Sequence, residues 1–127
     1  MLHTLLNAAE CRPWWRALLS ALLLLVCWLA FTPNPASLKM VNADKLLHTL
    51  AFACLAGCAA LSMAAGRGQT VTAATAMFCF GMFVEAVQTT LPGRSGEWQD
   101  LVADAAGIAA GLGLIGVARR WRAVEPG

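Results

Sequence analysis

Three ionisable side chains interrupt otherwise apolar stretches of this 127-residue chain: His48, Glu85 and Asp104. A charged group at the middle of a membrane helix costs about 2.5–3.5 kcal/mol, less near the ends, so such residues mark a site or a paired network. An imidazole titrates near neutral pH, and beside a carboxylate it can take and return a proton. His48 and Glu85 are therefore the candidate acid/base pair. Around them lie the groups expected to hold a ligand: Asp44, Lys45, Gln88, Arg94, Asp100 and Asp104. Arg94 offers a fixed, planar positive charge that can clamp a phosphate or carboxylate through two hydrogen bonds. Lys45 adds a second cation.

The spacing gathers these residues. Asp44 and His48 are four apart and stack on one helical face, and Gly81, Glu85 and Gln88 share another. Asp100, Asp104, Gly107 and Gly111 form a third stripe. Its Gly-x-x-x-Gly step lets helix backbones approach closely, which makes that face interior and carries Asp104 inside with it. Asp44 and Asp100 read as helix N-caps, beside the positive ends of helix dipoles. At about 1.5 Å per residue, His48 and Asp104 each lie about 6 Å inside their segments, and Glu85 about 9 Å from the end of its own. All three then meet at one level of a bundle.

The elements that must position them are four apolar segments, at about 14–31, 46–65, 71–91 and 101–118. Each approaches the length of about 20 residues that crosses a hydrocarbon core. Their length and lack of period-2 alternation exclude strands. The expected fold is thus all-α, a bundle of about four transmembrane helices forming a single domain over 1–127. Arg12, Arg16, Arg67, Arg119, Arg120 and Arg122 fall on one side, against Lys39, Lys45 and Arg94 on the other. The positive-inside rule then places both termini in the cytoplasm and the 91–100 connection outside. The expected location is the inner (plasma) membrane, crossed several times. Arg12 and Arg16 before the first segment, with Pro35-Ala36-Ser37 after it, also fit a cleaved leader. Tryptophans at both ends, Trp14 and Trp15 against Trp28, favour a permanent anchor.

Composition agrees: 59% of residues are hydrophobic and 13% charged, with a net charge of +2. A soluble domain of this size could not cover its surface with so few polar groups, and no basic stripe for nucleic acid is present. Five cysteines, an odd number lying mostly in apolar runs, read as small packing residues. A metal site of His48, Glu85, Asp104 and Asp44 is set aside, because a lone imidazole comes with no His-x-x-x-His or Cys-x-x-Cys pair. Neither a metal nor another cofactor is expected. A proton channel is also disfavoured, since polar residues do not continue through the other half of the bundle.

The ordered series Asp44-Lys45-x-x-His48-x-x-x-Phe52, Gly81-x-x-x-Glu85-x-x-Gln88, Pro92-Gly93-Arg94 and Asp100-x-x-x-Asp104-x-x-Gly107-x-x-x-Gly111 resembles the VanZ-like family of bacterial membrane proteins. The likeness covers about 44–115. It implies a small helical protein of the cell envelope, and its founding member is associated with teicoplanin resistance. The family often carries Asn where this chain has Asp104, so this chain gains a titratable group.

Two functional expectations follow. In the first, the polar site faces outward and binds or acts on an amphiphilic or lipid-linked envelope substrate, contributing to glycopeptide tolerance. In the second, the protein is a non-enzymatic accessory of envelope proteins. Its polar residues then form a structural network: His48 with Glu85, Arg94 with Asp104, and Gln88 bridging. The expected partners are the bilayer and either a lipid-linked precursor or envelope proteins.

Overall fold

The computed structural model describes residues 2–32, 41–64, 66–91 and 98–124. A short helix α1 (Leu2–Asn7) and a 3-10 turn (Ala9–Cys11) lead into α2 (Arg12–Phe31), α3 (Val41–Leu61), α4 (Arg67–Gln88) and α5 (Trp98–Val124). The described residues contain no strand, as expected. Pro13 sits in the first turn of α2, where its missing N–H removes no helical bond. Thr32, which precedes Pro33, turns extended (ψ 136°) and ends that helix.

Each long helix starts before the apolar stretch that announces it, because polar residues form its first turn, while α3 and α4 end at Leu61 and Gln88, short of the expected 65 and 91. α3 starts at Val41 and not near Leu46, and α5 runs from Trp98 to Val124 and not from 101 to 118. Among the described residues, three spans are long and apolar enough to cross a membrane: Ala9–Phe31, Gly68–Gln88 and Trp98–Trp121. In α3 the apolar part shortens to Lys45–Leu61. The polar first turns of that helix carry Lys45 and His48.

The core lies where α3 is enclosed by the others. Phe52, Leu55, Ala56, Ala59 and Ala60 of α3 pack with Ala73 and Met77 of α4 and Ile108 of α5. Glycine sets the closest approach. A Cβ on Gly107 would overlap the Thr49 carbonyl, and one on Gly111 the Ala53 carbonyl. The stripe predicted to be interior is therefore spent between α5 and α3.

The two ends of the bundle are joined differently. At one end Gln69 donates to the carbonyl of Ala60, in the last turn of α3, and to that of Met63 just beyond it. Carbonyls at a helix end lack donors within the helix, and Ala60 also accepts from the Met63 N–H. Arg119 donates to Gln69 Oε1 (2.5 Å) and to the Leu6 carbonyl (3.2 Å), tying α5 to α4 and α1. Arg16 Nε donates to the Ser62 carbonyl at 3.1 Å. At the other end Gln88 Nε2 donates to the Ala30 carbonyl (3.1 Å), linking the end of α4 to the end of α2. These links require α2 to α5 to alternate in direction, with α1 and the end of α5 on the same side. Trp14, Trp28, Trp98 and Trp121 are all strongly exposed. They stand near the ends of α2 and α5, as rings at two membrane interfaces would.

Candidate functional site

The polar end is built by α3, α4 and α5. His48 stands in the second turn of α3, Glu85 in the last turn of α4, and Asp100 in the first turn of α5 with Asp104 one turn below. Of the three residues expected at one level, His48 meets Asp104, while the close group that contains Glu85 is completed by Asp100. One ligand-capable atom each from His48, Glu85 and Asp100 lie within 4.8 Å of one another. Two ionised carboxylates at that separation would repel by about 3–4 kcal/mol at an effective dielectric of about 20.

Behind the imidazole, His48 Nδ1 and Asp104 Oδ1 are 2.8 Å apart. Asp104 is completely buried, whereas the His48 side chain keeps 15% of its surface. A buried carboxylate that accepts from Nδ1 holds the proton there and fixes the ring, leaving Nε2 with the lone pair of the neutral form. Asp104 orients His48, because positions 48 and 104 face each other across the glycine-closed α3/α5 contact. Gln88 does not bridge the cluster; its amide is taken by Ala30.

Glycine also makes room for Asp104. A Cβ on Gly81 would come within 2.8 Å of Asp104 Oδ2 and 3.3 Å of Phe52 Cε1. That Oδ2 has no hydrogen-bond partner among the described residues. Phe52 is 1% exposed and closes the site on its core side, with its ring 6.0 Å from that of Phe80. The polar cluster therefore ends on an apolar floor.

Of the remaining candidates, Lys45 Nζ donates to Gln99 Oε1 at 3.2 Å, so it lies at the rim between α3 and α5. Asp100 is in the third position of α5, and α3 begins three residues before Asp44. Both are therefore inside their helices, where the sequence reading placed N-caps. The side chain of Asp44 and all of Arg94 lie outside the described residues. Glu85, Gln88, Asp100 and Asp104 are buried, whereas His48 and Lys45 keep part of their surface. The sequence reading missed the opposite clasp of Arg119, Gln69 and Leu6. A glutamine opening an apolar helix was its signal, and Arg119 had been counted only toward orientation.

Comparison with known proteins places this arrangement. A family model described as VanZ/LLP1 matches residues 14–119. No match was found among curated proteins or solved structures. The matched region includes α2 to α5 almost whole, and with them every described residue of the polar site. The chain is an all-helical membrane protein of the VanZ-like family.

Proposed function

We propose that this protein works in the bacterial cell envelope by binding the head group of an amphiphilic or lipid-linked substrate at the polar end of α3, α4 and α5. That end faces outward, both termini are cytoplasmic, and all four long helices cross the inner membrane. The observation that supports this most is the partly exposed His48 ring, aligned by the fully buried Asp104 and set within a few ångströms of Glu85. An imidazole held this way can accept a proton from a bound hydroxyl or water, with Glu85 as the second acid/base group. Lys45 and Arg94 hold the anionic part of the head group. The apolar floor at Phe52 keeps the reaction or binding space at the membrane surface. Tolerance to glycopeptides follows when such binding alters the envelope precursor that those drugs recognise.

The test is binding of a polyprenyl pyrophosphate by the purified protein in nanodiscs, followed by native mass spectrometry. The wild type should retain the lipid, and Arg94→Ala and His48→Gln should each weaken retention at least tenfold. Equal retention by all three would remove the reading. A second reading, an accessory protein whose polar residues only join helices, gains support from Gln88, which is used to hold α2. It predicts crosslinks from the 91–100 connection to an envelope protein and no lipid retention.

A further inference from the structure

We infer that His48, Glu85 and Asp100 form a binding site for a divalent first-row transition ion of the Zn²⁺ or Mn²⁺ kind. The three side chains come from three different helices, and their ligand atoms lie within 4.8 Å of one another. Bonds of about 2.0–2.2 Å at near-tetrahedral angles place two ligands of one ion about 3.3–3.6 Å apart. A closing of the widest pair by about 1.2–1.5 Å at most, within the reach of side-chain rotation, brings the three atoms onto one centre. One imidazole nitrogen with two carboxylate oxygens is a donor set for borderline divalent cations. It leaves coordination positions open to water or to a phosphate.

A second observation points the same way. Histidines that bind metals characteristically give their other ring N–H to a carboxylate, which fixes the ring and raises its basicity. Asp104 does this: Oδ1 lies 2.8 Å from His48 Nδ1 in a completely buried position. Its Oδ2 is buried with no hydrogen-bond partner among the described residues, in space that exists because residue 81 is glycine. A buried carboxylate oxygen without a donor is costly on its own. A cation on the far side of the imidazole supplies the positive potential that offsets it. The chain has one other histidine, His3, near its amino end and remote from this cluster in sequence.

The ion site stands independently of lipid binding, and the two can fail separately. The experiment is equilibrium dialysis of chelator-treated full-length protein in nanodiscs against Zn²⁺ and Mn²⁺ separately, with elemental analysis. The wild type should take up one ion per chain of at least one of the two metals, and His3→Ala should do the same. Glu85→Gln and Asp100→Asn, which keep side-chain volume, should each bind at least tenfold more weakly. Asp104→Asn should lower affinity about 10- to 100-fold while keeping the one-to-one ratio. His48→Ala should lose the ion. No stoichiometric uptake by wild type, or uptake undiminished in folded Glu85→Gln and Asp100→Asn, overturns the inference. Lipid retention by metal-free protein would leave the head-group reading standing when the ion fails.

Discussion

Replacing Gly107 with alanine should injure packing and site together. The new Cβ would overlap the Thr49 carbonyl, and the backbone Thr49 carbon and Ala53 nitrogen would lie only 3.0 and 3.1 Å away. These are backbone atoms of a helix, so no side chain can swing aside. Restoring an ordinary carbon–oxygen separation of about 3.3 Å requires α3 and α5 to part by about 1 Å. Overpacking of this kind costs about 1–3 kcal/mol. His48 precedes Thr49, and Asp104 is one turn from Gly107, so the same movement stretches the 2.8 Å His48–Asp104 contact beyond hydrogen-bonding range. Interhelical hydrogen bonds in membranes contribute about 0.6 kcal/mol on average and up to about 1.7. The total loss should be about 2–4 kcal/mol. Gly113→Ala is the control, since its Cβ would meet nothing within 4 Å. There alanine should be neutral or stabilising by up to about 1 kcal/mol through helix propensity. Reversible unfolding in mixed micelles measures the energies, and nitrogen-15 spectra of the imidazole report its Nδ1 bond. A Gly107→Ala protein as stable as the wild type, with the histidine signal unmoved, would refute the close-approach argument. So would an equal cost at Gly113.

Gly81→Ala should displace the Asp104 carboxylate, because the added Cβ falls 2.8 Å from Oδ2. Its stability cost of about 1–3 kcal/mol should shrink by half or more in an Asp104→Ala background, and a double-mutant cycle reads that coupling. At the other end, Arg119→Lys should destabilise by about 1–3 kcal/mol. A single ammonium cannot reproduce the fork that reaches both Gln69 and Leu6. Thermal melting should fall, while ion uptake by the remote polar end stays unchanged.

Much of the architecture could be read along the chain. Apolar segments of membrane-spanning length admit one backbone solution, since lipid offers no partner for unpaired peptide groups. The all-helical membrane class follows from that alone. So does the expectation that His48, Glu85 and Asp104 lie at one end of the bundle, because alternating helices with known rise place residues at predictable depths. The interior Gly107/Gly111 stripe was legible because small residues four apart on one face serve close backbone contact.

Partner choice was not legible in this way. Helical periodicity says which face and which depth a residue occupies. It does not say which neighbouring helix that face meets or which way the neighbour is rotated. His48 therefore meets Asp104 across the α3/α5 contact, a partner that spacing along one helix could not single out. Gln88 turns away to Ala30, and Gln69 and Arg119 close the opposite end. Hydropathy likewise stops at the first polar turn, which hid the early start of α3 and put Asp44 and Asp100 inside helices. The sequence determined the solvent, the element type and the level of the polar groups, because these depend on composition and on repeat distances along one helix. The tertiary structure alone decided who touches whom, because that depends on a difference of about an ångström in how two glycine-faced helices close.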